Sequence, residues 1–218
     1  MKANEYLFDD DSKNKERCRK GVEALQVLLA AGADPNITDA DGDPAVTDFL
    51  VEGDAPTVAM LLKAGLNPHA TRSDGTTLMT AACSNHPVLK LLLAQSPTQQ
   101  ELNEILVQLA SMSAYDEALP ELVLAAGAEL NAAANIAGGK RYTPLTAAAE
   151  EMNEKCLSFL LAKGAHPSVP NSEGKTAADI LRGKIDELRR EIADSADNDF
   201  EQSEMKQAQR MLHLLGEE

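Results

Sequence analysis

The feature that most constrains the fold is a short motif that returns along the chain at a spacing of 33 residues. Gly32 and Gly65 are separated by 33 positions, and so are Thr143 and Thr176. Leucine-rich segments precede Gly32, Gly65, Gly127 and Gly164, and they read VLLAA, MLLKA, LVLAA and FLLAK in that order. A repeat of this length is typical of proteins built from stacked units, because one such unit cannot bury its own apolar surface.

Each repeat carries the signals for a helix, a stop, a turn and a second helix. The glycine after the leucine segment suits the C′ position, where a left-handed backbone ends a helix. An Asp-Gly or Glu-Gly pair about ten residues later predicts a tight turn. Thr143 followed by Pro144 is typical of a helix start, with Thr as N-cap and Pro in the first turn. We therefore expect an all-α solenoid of about five to six helix-turn-helix units.

No metal or cofactor site is predicted. The Asp-rich segment GADPNITDADGDPAV is not an EF-hand, because Asp48 stands where the calcium loop needs its closing Glu. The three cysteines are widely spaced and lack a C-x-x-C pair, and catalytic motifs are not found. His69 and His166 fall in the finger regions of different repeats, where surface or finger roles are expected. We expect no enzymatic activity.

The repeat resembles the ankyrin-repeat family over roughly residues 20–182. That resemblance implies β-turn fingers between the helices and protein recognition by the fingers and first helices. The family's usual Thr-Pro-Leu-His lacks its His in this chain, where Thr47, Thr80, Thr146 and Asp179 take that position. The segments that carry the resemblance are Leu28–Asn36, Leu61–Gly65, Tyr142–Ala148 and Leu160–Ala165.

Two irregularities interrupt the repeat. After Leu91–Leu93 the Gly-Ala-Asp finger is missing, and Ser96 followed by Pro97 predicts a helix start, with Ser96 as N-cap. We expect a long first helix in the fourth repeat, joined to the third repeat without a finger. The next finger, residues 131–142, is four residues longer than the regular one and is predicted to be tipped by Lys140 and Arg141.

The repeats suggest three parts of the chain. Residues 1–21 are predicted to form an N-terminal cap, in which Asp9–Asp11 either begins a helix or is disordered. Residues 22–182 form the array, irregular at 94–116, and Leu161 is predicted to lie in its core. Residues 183–218 form a helical cap, with the two apolar faces Ala178, Leu181, Ile185, Leu188, Ile192 and Met205, Ala208, Met211, Leu212, Leu215.

The charge indicates what kind of partner to expect. The formal net charge is −15, which disfavours binding to nucleic acid or to an anionic membrane and favours a basic protein. The same charge could serve solubility alone. No apolar run of eighteen residues and no secretory leader is visible, so we expect a cytoplasmic protein, monomeric without its partner.

Three functions stay open from the sequence. The first is a non-catalytic inhibitor of the immunity or antitoxin type, which would occlude a basic partner such as a toxin. The second is a general adaptor, and the third is a small-ligand receptor or an enzyme with an unrecognised site. The missing finger and the long one next to it predict a notch beside a wall. The candidate partner-binding residues are Asp41, Asp43, Arg72, Asp74, Thr76, Asn135, Lys140, Arg141, Tyr142, Glu173 and Lys175.

Overall fold

The computed structural model describes residues 10–112, 116–135, 140–194 and 199–217. Within these residues the chain forms helices and one short hairpin. The helices are α1 (Asp10–Ala30), α2 (Thr47–Val51), α3 (Ala55–Lys63), α4 (Leu78–Ala81), α5 (His86–Leu93), α6 (Gln99–Ala110), α7 (Ala118–Ala125), α8 (Pro144–Glu150), α9 (Glu154–Ala162), α10 (Ala177–Asp194) and α11 (Asp199–Leu214). The strands β1 (Ala134–Asn135) and β2 (Arg141–Tyr142) are antiparallel.

The helices stack in the order of the sequence. After α1 come five pairs, α2–α3, α4–α5, α6–α7, α8–α9 and α10–α11. The first helices α2, α4, α6, α8 and α10 contact one another in succession, and α3, α5 and α7 do the same behind them. This arrangement confirms the predicted solenoid of stacked helix pairs. The boundaries predicted after residues 21 and 182 fall inside α1 and α10. They therefore divide the sequence and do not coincide with the ends of helices. Helix α1 begins at Asp10.

The glycines end helices in the predicted way. Gly65 has a φ of +96°, donates its N–H to Leu62 O at 3.1 Å, and is followed by a Leu66 N–H that donates to Leu61 O at 3.0 Å. This pair of bonds closes the last turn of α3 and satisfies two of its free carbonyls. Gly164 ends α9 in the same way, because Gly164 N–H donates to Leu161 O and Ala165 N–H donates to Leu160 O.

Hydroxyl and carboxyl groups stabilise the first turns of α8 and α10, at the position where the family that the sequence resembles usually has a histidine. Thr143 caps α8, and its hydroxyl accepts from Thr146 N–H at 3.2 Å while Thr146 Oγ1 accepts from Thr143 N–H at 2.9 Å. At α10 the Asp179 carboxylate accepts from Thr176 N–H and from its hydroxyl. Both arrangements satisfy N-terminal N–H groups reciprocally, so the turns are capped without a histidine.

Helix α6 starts later than predicted. Ser96 was expected to be its N-cap, but Ser96 has a φ of +58° and lies in the connection from α5. Thr98 is the N-cap, and its hydroxyl accepts from Glu101 N–H while Glu101 Oε2 accepts from Thr98 N–H at 2.8 Å. The cap lies two residues later because the Glu101 carboxylate is a stronger acceptor than the Gln99 amide that a Ser96 cap would place at the same position.

The first turn of α6 replaces the missing finger. The first finger connects α1 to α2, the second connects α3 to α4, and the last connects α9 to α10. In the first finger, Asn36 Nδ2 donates to Gly65 O at 2.9 Å and Asn36 Oδ1 accepts from Asn67 N–H at 2.7 Å. In the fourth repeat two residues divide these bonds: Gln99 Nε2 donates to Gly127 O at 3.0 Å, and Asn103 Oδ1 accepts from Glu129 N–H at 2.8 Å. The long helix confirmed here therefore supports the next repeat with the same amide chemistry as a finger.

The core is formed by two clusters that meet in α6. Ile105 and Leu106 belong to the cluster of the preceding repeats, whereas Val107 belongs to the cluster that continues through α8–α11. Leu160 is fully buried in the second cluster. Leu161 was predicted to be a core residue, but it is only partly buried and packs against the edge of that cluster. The geometry of the helix explains the difference, because the next residue along points about 100° away.

The last two helices cover the end of the array. Of the residues predicted for the two apolar faces, Ile192 and Met205 are half-buried, and the buried ones are Ala178, Leu181, Ile185, Leu188, Ala208, Met211, Leu212 and Leu215. Gln207 Nε2 also donates to Met152 O at 2.7 Å, which ties α11 to the connection between α8 and α9. None of the helices in the described ranges has the length and apolarity needed to cross a bilayer.

Candidate functional site

Hydrogen bonds join the first two fingers. The Asp43 carboxylate accepts from Ser73 N–H at 2.6 Å and from the Ser73 hydroxyl at 3.0 Å. Asp39 Oδ1 accepts from the N–H groups of Asp41 and Asp43 and shapes the turn of the first finger. Of the two predicted contact residues here, Asp41 is exposed and Asp43 is a half-buried link between repeats.

A compact polar network forms the second finger. Arg72 Nη1 donates to Asp74 Oδ2 at 2.8 Å, and Asp74 Oδ1 accepts from Thr76 N–H and from the Thr76 hydroxyl. Burial raises the pKa of Asp74, but the two bonds from Thr76 and the charge of Arg72 outweigh it and hold the pKa below the usual value. Arg72, Asp74 and Thr76, all predicted site residues, thus mainly stabilise the turn of the second finger.

The long finger is bonded to itself and to the following finger. Asn135 pairs with Arg141 across the hairpin, and Arg141 Nη2 donates to Ala133 O at 2.5 Å. Arg141 N–H donates to Ser172 Oγ at 3.1 Å, and Ser172 N–H donates to Arg141 O at 2.9 Å. Arg141 was predicted to tip the finger, but it lies within strand β2.

Charged residues connect the long finger to the last one. Lys140 Nζ lies 2.9 Å from Glu173 Oε1, and Lys175 Nζ lies 3.5 Å from Glu173 Oε2. The hydrogen bond between Lys140 and Glu173 raises the pKa of Lys140 and lowers the pKa of Glu173. Exposed pairs of this kind contribute little to stability, so all three side chains are available to a partner.

Tyr142 has a structural contact as well as an exposed part. Its ring is half-buried and packs against the cluster formed by α8–α11. Burial, and after it the nearby Glu150, raises the pKa of the Tyr142 hydroxyl. Truncating Tyr142 would therefore disturb the core in addition to any binding surface, and Arg141 is the cleaner position for a test of binding.

A groove of about 470 Å³ separates α6 from the long finger. It lies where the sequence predicts a notch beside a wall. Two predicted site residues, Asn135 and Arg141, lie on its finger side, whereas the predicted residues of the first, second and last fingers do not line it. The residues that line the groove are Gln100, Asn103, Glu104, Ala133, Ala134, Asn135 and Arg141.

The α6 side of the groove was missed by the sequence analysis. Gln100, Asn103 and Glu104 follow the helical spacing of i, i+3 and i+4 and therefore share one face of α6. The apolar residues of the same helix were recognised, and the polar face opposite them was the available signal. Glu104 is only 6% exposed and receives a hydrogen bond from Gln100 Nε2 at 2.8 Å.

A second buried carboxyl on α6 has a structural role. Glu101 is 4% exposed, and its carboxylate accepts from Thr98 and lies 2.8 Å from His69 Nδ1. Burial raises the pKa of Glu101, but the bonds from Thr98 and His69 outweigh it and lower the pKa below the usual range. His69, for which a surface or finger role was expected, thus links the second finger to α6.

The two cysteines whose burial is described are not reactive. Cys83 and Cys156 are buried, and burial raises the pKa of each thiol to about 12, so neither is a ready nucleophile. The part of the chain that the structure describes contains no group of three or more His, Cys, Asp or Glu residues placed to hold a metal ion. A second depression of about 610 Å³ lies between α9 and α11, and none of the described residues that line it belongs to a finger.

Two family models match the chain. The model described as ankyrin repeats in three copies matches residues 17–104, and the model of a single ankyrin repeat matches residues 140–172. Together they cover more than half of the 218 residues. The segment between them, residues 105–139, contains the second half of α6, α7 and the start of the long finger, where the repeat departs from its regular pattern.

Solved structures have the same fold. A crystal structure of an ankyrin repeat domain from Acinetobacter baumannii AYE has a TM-score of 0.62 at 16% identity, over 92% of this chain and 95% of that one. A structure of a predatory endopeptidase from Bdellovibrio bacteriovorus in complex with an immunity protein has a TM-score of 0.60 at 21% identity, over 85% of this chain and 90% of that one. No curated protein matches the chain by sequence.

Proposed function

Because this chain belongs to the ankyrin-repeat family, whose repeats bind other proteins, we propose that it is an acidic inhibitor that occludes a basic protein. The finger row and the groove beside α6 would form the binding surface. The observation that carries the proposal is a preformed groove between α6 and the long finger in a chain of net charge −15. An inhibitor of the immunity or antitoxin type is the specific case.

The rigidity of the finger row supports this role. The Asp43–Ser73 bonds join the first two fingers, and the Arg141–Ser172 bonds join the last two. A surface that is already ordered loses less conformational entropy when a partner binds. The same row can offer the twenty to thirty residues that a standard interface of about 800 Å² per partner requires.

The charge supports a basic partner. An acidic surface attracts a basic protein over a distance and raises the rate of encounter, as is needed when an inhibitor must act before its target does. A chain of the same fold occurs in the solved complex of an endopeptidase with an immunity protein. At 21% identity that likeness supports the fold, and the role in this chain rests on its own groove and charge.

Two other functions remain candidates. A general adaptor would use the same fingers without the dependence on charge. A small-ligand receptor or an enzyme would use the groove, whose volume of about 470 Å³ lies in the range of small-molecule pockets. Its lining is mostly polar and carries two alanines from the finger, and this composition suits a protein segment better than an apolar ligand.

Arg141→Ala is expected to weaken the complex with a captured partner about tenfold. The guanidinium is exposed at the groove and makes one described hydrogen bond, to Ala133 O. The melting temperature should therefore change little. The partner would be obtained by affinity capture from the source cells, and the dissociation constant measured by calorimetry. Arg190→Ala, an exposed arginine of α10, is the matched control. Equal affinity of Arg141→Ala and the parent chain would remove the groove from the interface.

The association rate should fall about tenfold or more between low and physiological salt if charge steers the encounter. Stopped-flow mixing with the captured partner measures this rate directly, and the dissociation rate should change much less. A general adaptor would show an association rate that is nearly independent of salt. That result would exclude the charge-steered inhibitor while leaving protein binding in place.

A further inference from the structure

We propose that the groove beside α6 receives a lysine or arginine side chain of the bound protein, and that Glu104 is the residue that pairs with it. The inference rests on the proposed function, because it names the chemistry that the same groove recognises. It adds a specificity residue that lies outside the fingers. The reasons are the burial of Glu104, its lack of a cationic partner within the described ranges and the polarity of the two groove walls.

Glu104 is a buried acid that has no counterion among the residues the structure describes. It is 6% exposed, yet among the described residues its one hydrogen bond comes from the neutral amide of Gln100. A buried carboxylate is costly unless a cation or several donors compensate it. Glu104 also lines the groove, which is the side from which a donor outside the chain would approach it.

Glu101 shows what a compensated acid on the same helix looks like. It is buried to a similar degree, but it receives the N–H and the hydroxyl of Thr98 and contacts the His69 ring. Its interactions are completed within the chain and they cap α6. Glu104 is one turn of the helix further on and has no such role, so its position in the groove is not explained by the fold alone.

The two walls of the groove fit one orientation of a bound segment. On the α6 wall, the amide oxygen of Gln100 and the carboxylate of Glu104 can accept hydrogen bonds. On the finger wall, the remaining N–H groups of Arg141 and the amide of Asn135 can donate to a carbonyl. A basic side chain directed at α6, with its own backbone carbonyl towards the finger, satisfies both walls. The volume of about 470 Å³ has room for one such side chain and its backbone.

Blocked tripeptides test the inference on the full chain. Acetyl-Gly-Arg-Gly-amide and its lysine counterpart would be titrated into ¹⁵N-labelled protein, with the citrulline peptide as a neutral isostere of arginine. We expect saturable shifts of the amide signals of Gln100, Asn103 and Asn135 with the two basic peptides. The citrulline peptide should bind about tenfold more weakly or not at all.

Variants then assign the effect to one carboxyl. Glu104→Gln keeps the shape of the side chain and should weaken the arginine peptide about tenfold or more. Glu187→Gln removes the same charge from an exposed position of α10 and should leave binding unchanged. Equal binding of arginine and citrulline peptides to the parent chain, shifts confined to other surfaces, or no saturable shift would each overturn the inference, whether or not Glu104→Gln folds.

The failure of this inference is separable from the failure of the proposed function. If Arg141→Ala weakens the binding of a captured partner but the groove binds the basic and the neutral peptides equally well, only the role of Glu104 is refuted. A groove that selects the basic peptides in a chain that captures no partner would refute the proposed inhibitor alone.

Discussion

Leu160→Ala is expected to lower the free energy of unfolding by about 2–5 kcal/mol. Leu160 is fully buried in α9, within the cluster that joins the fourth and fifth repeats to the C-terminal helices. Truncation removes apolar contacts and leaves a cavity that α8 and α11, the helices in contact with α9, cannot close without moving. Urea unfolding followed by circular dichroism measures the change.

Leu161→Ala is the matched control, because it removes the same atoms from the neighbouring position. Leu161 is only partly buried at the edge of the cluster, so its truncation should cost clearly less than that of Leu160. Equal losses in the two variants would mean that the packing of α9 differs from the one described here.

The regular part of the fold was predictable because its signals are local. A glycine after a leucine segment, as at Gly65, both ends a helix and marks the repeat length, and a Thr-Pro pair, as at Thr143, starts the next helix. These signals act within a few residues and recur, so each confirms the others. Leu160 and Leu161 show the limit, since a leucine segment does not tell which of two neighbours points inward.

The irregular part depends on competition between signals and on contacts between repeats. Ser96 and Thr98 are both good N-caps, and the choice depends on the acceptor at Glu101, which is also held by His69 from the preceding finger. Glu104 of α6 and Arg141 of the long finger line the same groove. They do so because the finger before α6 is missing and the finger after α7 is long. The sequence indicated the notch, but the buried acid on its wall, Glu104, is seen only in the structure.

The fingers show that candidate partner-binding residues chosen by position alone include residues that stabilise the fingers themselves. Asp43 and Asp74 were predicted as partner contacts because they lie near finger tips. In the structure both carboxylates accept hydrogen bonds within the finger row, from Ser73 and Thr76 respectively. Acidic residues in such turns can be required for the shape of the surface and contribute to binding only indirectly.

Glu101→Ala is expected to lower the free energy of unfolding by about 2–3 kcal/mol at pH 7. The substitution removes the acceptor for the N–H and hydroxyl of Thr98, breaks the capping box of α6 and leaves His69 without its partner. Helix α6 joins the two core clusters, so loss of its first turn should weaken the array on both sides. Glu187→Ala, on the exposed side of α10, should cost much less.

The effect of Glu101→Ala should depend on pH in one direction. The bonds from Thr98 and His69 lower the pKa of Glu101 in the folded chain, so the folded state binds a proton less readily than the unfolded state. This stabilisation is fully present above the pKa of an unfolded glutamate, about 4.3, and is lost as the pH falls through the folded pKa. The difference in stability between the parent chain and Glu101→Ala should therefore shrink between pH 7 and about pH 3, whereas the difference for Glu187→Ala stays nearly constant. Urea unfolding at a series of pH values measures both, and a difference for Glu101→Ala that persists undiminished at about pH 3 would show that its ionised carboxylate is not what stabilises the start of α6.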